Sequence, residues 1–161
     1  MEIVIPFSSF FSIGDTIITI EQYDKENPSL SLPALCDFLF THLKKYGDSL
    51  EDITRAVDYA TSRHPCKGGS IYLARKGDEL VGALVMLRMP TSGFVPDNLL
   101  VYIAVDAAIR GEGIGGTLMQ YAIKDTEGDI ALHVDMDNPA RRLYERMGFT
   151  ADYIEMRYKK G

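Results

Sequence analysis

The chain has 161 residues, of which 46% are hydrophobic and 25% are charged, and its formal net charge is −6. This length and balance fit one globular domain over residues 1–161, and they exclude a disordered chain. An acidic surface repels phosphate backbones, which disfavours nucleic-acid binding, and the sequence has no 18-residue apolar run that could span a membrane. Cys36 and Cys66 match no metal-ligand spacing and no basic leader opens the chain, so we expect a cytoplasmic protein with free thiols and no metal.

The first half of the chain predicts two helices between strands. Residues 16–20 are β-branched and predict a strand. Residues 31–46 carry apolar side chains at helical spacing, and Ser49 begins a second helix with Asp52 completing a capping box. Two further apolar runs, residues 71–75 and 80–87, are joined by a short polar turn, which predicts a β-hairpin.

The second half alternates strands and helices. Residues 99–105 predict a strand, and a helix follows the glycine-rich segment 110–116. Residues 130–135 alternate apolar and polar side chains, which is typical of a strand. Asn138 then caps a helix that ends before Gly148, and residues 150–158 predict a final strand. This order predicts an α/β or α+β layer fold with a mixed sheet.

The glycine-rich segment predicts an anion site. A helix entered through consecutive glycines offers unobstructed backbone N–H groups and the positive end of its dipole to a phosphate. Arg110 adds a planar, permanently charged guanidinium. Four glycines lie within residues 111–116, between a predicted strand and a predicted helix, which favours a phosphate site over a flexible turn. The P-loop continuation Gly-Lys-Ser/Thr is missing from the segment.

A dinucleotide site is a second interpretation. Gly111, Gly113 and Gly116 fit the pattern Gly-x-Gly-x-x-Gly, and Asp135 or Asp137 follows about twenty residues later, where a ribose contact is expected. However, a dinucleotide fold needs several more strands than the 45 residues after Gly116 can supply. Five residues also separate the predicted strand from the first glycine, so this interpretation is the weaker one.

A third interpretation takes Arg110-x-x-Gly113-x-Gly115 as the unit, and this resembles the pyrophosphate loop Arg/Gln-x-x-Gly-x-Gly/Ala of the GNAT superfamily of N-acetyltransferases. The resemblance continues through Leu132-x-Val134, Asn138, Leu143-Tyr144-Glu145 and Gly148-Phe149, at the expected distance from the loop. It covers about residues 99–149, whereas the first 65 residues agree in element order only. The family usually has one more residue between its Asn and its Tyr, so Asp137 is an alternative to Asn138. A proline often stands where this chain has Ala107.

The resemblance implies a single-domain GNAT-like α/β (α+β) fold, with a mixed, mostly antiparallel central sheet flanked by helices and with strands splayed around the cofactor. It implies an acetyl-CoA-dependent N-acetyltransferase, in which a primary amine attacks directly in a ternary complex. Tyr144 is then expected to act as general acid. The cofactor-binding set implied by the resemblance is Ile103, Val105, Arg110, Gly111, Glu112, Gly113, Ile114, Gly115, Gly116 and Asn138.

Three questions stay open at the level of sequence. Asp135, His133 and Asp106 are all candidates for the general base. The acceptor is a small-molecule amine, an amino acid, a peptide N-terminus or a lysine side chain, because no motif marks the acceptor side. A catalytically silent CoA-binding module is an alternative to an enzyme, and exposed strand edges predict a homodimer.

Overall fold

A computed structural model describes residues 8–91 and 93–161 of the chain. Six strands form one sheet in which every neighbouring pair is antiparallel except the last, where the fifth and sixth strands are parallel. The predicted mixed, mostly antiparallel sheet is confirmed, and a doubly wound parallel sheet of the dinucleotide-binding type is excluded. In sheet order the strands are β1 (Ser8–Ile13), β2 (Thr16–Gln22), β3 (Gly69–Lys76), β4 (Glu79–Arg88), β5 (Asn98–Val105) and β6 (Ile130–Leu132).

Within the described residues, four α-helices flank the sheet: α1 (Leu32–Leu43), α2 (Leu50–Thr61), α3 (Ile114–Asp125) and α4 (Arg141–Arg146). The predicted starts of α1 and α2 are confirmed, because the hydroxyls of Ser31 and Ser49 each accept a backbone N–H of the first helical turn. Helix α1 ends earlier than the sequence pattern indicates. Lys44 has a φ of 54°, which stops the helix, and residues Lys44–Tyr46 continue as a 3-10 turn.

The helices cover both faces of the sheet. On one face α2 packs against β3 and β4 through residues such as Val57, and α1 packs against β5 through residues such as Leu39. On the other face α3 packs through Leu118 and Met119. Because β4 is covered on both sides, residues 81–87 are buried without alternation, which explains the continuous apolar run in the sequence.

The predicted final strand is wrong. Residues 150–161 form no strand and are exposed throughout. High β-propensity describes how well side chains fit a pleated, half-buried surface, and this segment has no neighbouring strand to provide one. Two other differences are smaller: β1 precedes the first strand that the sequence predicts, and β6 ends at Leu132 rather than at residue 135.

Candidate functional site

The site begins where two parallel strands part. β6 pairs with β5 only over Asn98–Leu100, whereas β5 continues to Val105. Asn98 holds the base of the opening, since its buried side chain donates to the carbonyl of Glu127 at 2.7 Å and its backbone N–H donates to the carbonyl of Asp129 at 3.0 Å. Beyond Leu100, within the described residues, no strand pairs with this edge of β5. Its backbone N–H and C=O groups are therefore available to a ligand.

A bulge in β5 decides which side chains face the opening. The register with β4 shifts between Val85 and Met86, so that one residue of β5 is extra. Leu100 packs on the α3 side, but Tyr102 and Ala104 pack on the α1–α2 side. Ile103 and Val105 consequently face the α3 side, and both line a cleft of about 470 Å³.

The glycine-rich loop forms one wall of this cleft. Gly111 and Gly113 have φ values of 85° and 90°, which L side chains rarely adopt, and the space above both is open. Gly113 is the N-cap of α3 and provides no side-chain cap, and the N–H of Thr117 is the first to bond within the helix, to the carbonyl of Gly113 at 3.0 Å. The preceding N–H groups are thus free for an anion at the positive end of a twelve-residue helix.

Gly115 leaves room opposite the loop. A Cβ at this position would lie 3.5 Å from Val105 and 3.7 Å from Leu143, in the gap between β5 and α4. A larger side chain would fill that gap. The glycine therefore keeps open the passage that connects the start of α3 with the free edge of β5.

Arg110 is anchored to the protein. Its Nε donates to the carbonyl of Val105 at 3.2 Å, and its Nη2 donates to the carbonyl of His42 at the end of α1. A guanidinium has five N–H donors, so three stay free to bind phosphate oxygens. Arg110 can thus hold the loop against α1 and contact a phosphate at the same time.

Tyr144 lies on the opposite wall. It is 8% exposed, and its ring packs edge-on against Phe149 at 6.1 Å between centroids. Burial raises the pKa of Tyr144 to about 12, because the phenolate would lose its hydration. Tyr144 therefore carries its proton at neutral pH and is a hydrogen-bond donor to the cleft.

The N-cap of α4 is Ala140, without a side-chain cap, so the predicted capping role of Asn138 is wrong; Asn138 instead holds the turn before the helix. Its side-chain oxygen accepts the N–H of Ala140 at 2.9 Å, and the residue also lines the cleft. α4 itself begins three residues later, at Arg141. Arg141 pairs with Glu145 at 2.8 Å on the exposed side of the helix, whereas Arg146 lines the cleft.

The end of α1 contacts both segments that border the opening, the loop that follows β5 and the turn that precedes α4. The sequence does not indicate these contacts. His42 accepts the N–H of Ala107 on its Nδ1 at 3.1 Å, and its ring packs at a tilt of 49° against Phe38, with 4.5 Å between the ring centroids. Tyr46 donates from its hydroxyl to the carbonyl of Asp137, in the turn that precedes α4, at 3.1 Å. His42 and Tyr46 both line the cleft. No spacing rule connects a helix end with loops more than 60 residues away, so sequence reasoning missed both.

Of the three candidate general bases, one lies in the cleft. His133 lines the cleft, whereas Asp106 and Asp135 do not. Asp106 instead accepts the N–H of Ala108 at 2.9 Å and starts the 3-10 turn Ala107–Ile109. Among the predicted cofactor residues, Glu112 lies outside the cleft. The structure brings the others together with Tyr144 around one opening: Ile103, Val105, Arg110, Gly111, Gly113, Ile114, Gly115, Gly116 and Asn138.

Two absences apply to the residues that the structure describes. No group of three or more His, Cys, Asp or Glu side chains in residues 8–91 and 93–161 is placed to hold a metal ion. In the same ranges, no helix has the length and apolar character needed to cross a membrane.

The cleft thus lies between splayed strands and ends at a glycine-rich helix start, an arrangement suited to an anionic ligand. The sequence pattern of the Acetyltransferase (GNAT) family matches residues 34–149. The chain therefore belongs to the GNAT acetyltransferase family.

Individual curated relatives resemble only part of the chain. N-alpha-acetyltransferase 30 of Homo sapiens is 35% identical over 92 residues, which is 54% of this chain and 25% of that protein. The same protein of Xenopus laevis is 35% identical, over 34% of its own length. The chain thus spans between a quarter and about a third of the curated relatives it matches.

Solved structures share the fold at low identity. Ribosomal-protein-alanine N-acetyltransferase from Brucella melitensis superposes with a TM-score of 0.62 at 18% identity, over 89% of this chain and 99% of that one. An aminoglycoside acetyltransferase from an uncultured soil sample, in complex with sisomicin, gives 0.61 at 17% identity, over 89% and 95%. At these identities the likeness concerns the fold.

Proposed function

We propose that the chain transfers the acetyl group of acetyl-CoA to a primary amine, which attacks directly within a ternary complex. One observation carries the proposal. The free N–H groups at the start of α3 and the free backbone edge of β5 face the same cleft, beside Tyr144. This arrangement fits a thioester on a long phosphate-bearing arm, because the pyrophosphate needs N–H donors and the pantetheine amides need a strand edge.

The chemistry assigned to each residue follows from its position. A backbone N–H of β5 near Ile103 or Val105 would donate to the thioester carbonyl oxygen as negative charge develops there. Tyr144 would donate a hydrogen bond from its hydroxyl to the departing sulfur, where negative charge develops. His133 is the group we assign to take a proton from the acceptor ammonium, so that the neutral amine can attack, since the Nδ1 of the other cleft histidine, His42, already accepts the N–H of Ala107.

The α-amino group of a peptide is the acceptor we propose to test first. Two of the relatives above are named for N-alpha and alanine N-acetylation, although a third is named for aminoglycosides. On the acceptor side, His42 and Tyr46 form the wall. Their hydrogen bonds to the loop after β5 and to the turn before α4 fix the width of the cleft that is available to an amine.

The test is release of CoA thiol by the purified chain with acetyl-CoA and a panel of amines. The panel contains peptides with a free N-terminus, the same peptides with a blocked N-terminus and an internal lysine, and small amines including an aminoglycoside. We expect turnover with at least one class, and the blocked peptides separate α-amino from lysine acceptors. Calorimetry that shows no acetyl-CoA binding at millimolar ligand would contradict the proposal.

A catalytically silent CoA-binding module is the second candidate. It is favoured by the lining of the cleft, which contains no carboxylate among the described residues. Binding of acetyl-CoA without transfer to any amine of the panel, together with no effect of Tyr144→Phe, would select this candidate. A comparison of CoA and NAD as stabilising ligands in thermal unfolding separates both candidates from a dinucleotide site, since a ligand that binds the native state raises its Tm.

A further inference from the structure

A buried tyrosine holds a carboxylate beside the cleft. Tyr102 lines the cleft and is 7% exposed, and its hydroxyl donates to the Oδ2 of Asp48 at 2.6 Å. Burial raises the pKa of Tyr102, and the hydrogen bond to Asp48 adds to this, so the phenol keeps its proton and stays a donor. A short hydrogen bond from a fixed donor holds the carboxylate in one orientation.

Asp48 lies on the side of β5 that we assign to the acceptor. Tyr102 packs on the α1–α2 side of the sheet, whereas Ile103 and Val105 pack on the α3 side. Asp48 also follows Tyr46, which lines the cleft at the end of α1, by two residues. The carboxylate therefore stands beside the wall along which an amine would enter.

The C-terminal segment connects Asp48 with the proposed base. Arg157 pairs with Glu155, and this pairing raises the pKa of Arg157 and lowers that of Glu155. The charge of Asp48 adds to the first of these shifts, and the charge of His133 adds to the second. Because salt screens exposed charges over about 10 Å, Asp48 and His133 both lie near this one ion pair.

Asp48 has a free negative charge to offer. It is exposed and takes part in no ion pair among the residues that the structure describes, whereas its neighbours Glu51 and Asp52 both pair with Arg55. The lining of the cleft itself contains no carboxylate in the described ranges. A cationic acceptor that enters along this wall therefore meets an oriented, unpaired carboxylate at Asp48.

We propose that Asp48 determines acceptor specificity by binding a second positive charge of the acceptor, several bonds away from the amine that is acetylated. The length of the Tyr102 side chain and a hydrogen bond of 2.6 Å separate the carboxylate from the backbone of β5, where we place the thioester carbonyl. Asp48 thus reaches a remote charge and not the reacting nitrogen, and Tyr102 is its positioning residue. Peptides with a basic second residue and small diamines share this chemistry. The inference rests on the proposed acetyl transfer, because it names the class of acceptor.

The first experiment compares acceptors that differ by one charge. One pair is a peptide that begins with alanine and arginine and the same peptide with citrulline, the neutral isostere, in place of arginine. The other pair is diaminobutane and butylamine. We expect kcat/KM to be at least about tenfold higher for the charged member of one pair, and this advantage to shrink as salt is added. The pair that shows the advantage distinguishes a peptide from a small amine, and equal kcat/KM within both pairs overturns the proposal.

The second experiment removes the charge and keeps the hydrogen bond. In Asp48→Asn the amide oxygen can still accept from Tyr102, so the Tm and the activity toward the neutral acceptor should be retained. The KM for the charged acceptor should rise about tenfold or more, with kcat unchanged. Asp52→Asn is the matched control, since this carboxylate lies four residues away and already pairs with Arg55 at 3.0 Å. An unchanged KM for the charged acceptor in Asp48→Asn overturns the proposal.

Tyr102→Phe tests the positioning role. Phenylalanine fits the same buried space, and the lost hydrogen bond should raise the KM for the charged acceptor severalfold. In the Asp48→Asn background the same change should have no further effect on KM, because the two residues act through one contact. Additive effects on KM in the double variant would show that Tyr102 acts independently of Asp48, against the proposal.

A binding measurement separates failure of this inference from failure of acetyl transfer. Calorimetry with both pairs of acceptors, with and without saturating CoA, requires no turnover. Tighter binding of a charged member, lost in Asp48→Asn, supports recognition by Asp48 even if no amine is acetylated. Equal or undetectable binding within both pairs overturns it in that case. Turnover without any preference for the charged member leaves acetyl transfer intact and overturns this inference alone.

Discussion

Replacing Tyr144 with phenylalanine removes the hydroxyl and leaves the packing. The ring is 8% exposed and contacts Phe149 through its edge, so a phenylalanine ring fits the same space. We therefore expect the fold and the affinity for acetyl-CoA to be retained. The change then isolates what the phenol contributes to turnover.

The size of the effect follows from the pKa. Burial raises the pKa of Tyr144 to about 12, whereas an ordinary thiol has a pKa of about 8.5. Complete transfer of the proton from the phenol to the thiolate would cost about 5 kcal/mol, at 1.36 kcal/mol for each unit of pKa difference. A hydrogen bond to a charged group contributes about 1.5–3 kcal/mol without that cost. We expect Tyr144 to act mainly as a hydrogen-bond donor, and its loss to lower kcat about 10- to 150-fold.

The assay is CoA thiol release for kcat and calorimetry for the Kd of acetyl-CoA. Tyr59→Phe is the control, because Tyr59 also loses a hydrogen bond, to the carbonyl of Arg88 at 3.2 Å, but lies outside the cleft. An unchanged kcat in Tyr144→Phe would refute a role for the phenol. A loss well above about 1,000-fold would refute the hydrogen-bond account in favour of complete proton transfer.

Four further predictions test the site and the fold. Arg110→Ala should weaken acetyl-CoA binding by roughly tenfold or more, because a charge-assisted phosphate contact is lost; an unchanged Kd in calorimetry would count against the loop assignment. Gly115→Leu should fill the gap between Val105 and Leu143 and weaken binding while the Tm of the free protein changes little; binding at the original Kd would show that the ligand does not enter there. Gly69→Ala should destabilise the fold by about 1–3 kcal/mol or more in urea unfolding, because its Cβ would lie 1.9 Å from the carbonyl oxygen of Met86. Stability should fall as the pH rises from about 10 to 12, because burial raises the pKa of Tyr72 and of Tyr144 to about 12 and the unfolded chain loses these protons first; Tyr72→Phe should reduce that slope.

The glycine-rich wall of the cleft was readable from the sequence because its signals are local. Consecutive glycines before a helical pattern predict an open helix start, whatever the rest of the fold does. The structure places Gly113 and Gly115 at that start, with the predicted Tyr144 on the opposite wall. The helix caps at Ser31 and Ser49 were predictable for the same reason, since a cap joins residues only three positions apart.

The wall formed by His42 and Tyr46 could not be predicted, because its contacts are long-range. His42 meets Ala107 and Arg110 more than 60 residues away, and Tyr46 meets Asp137. No periodicity encodes such pairs, and His42 has no partner pattern in the sequence. Glu112, in contrast, belongs to the glycine-rich sequence motif and was predicted to bind the cofactor, but it lies outside the cleft.

The sequence by itself determined which segments have helical or strand character, where α1 and α2 begin and which helix starts through open glycines, because propensity, capping and glycine chemistry act over a few residues. Only the tertiary structure decided which of these preferences are realised. Residues 150–158 have the composition of a strand, but a strand needs a neighbour for its hydrogen bonds, and within one chain this segment has none. The bulge in β5 and the early end of β6 open the cleft for the same reason, since strand pairing is a property of two segments together.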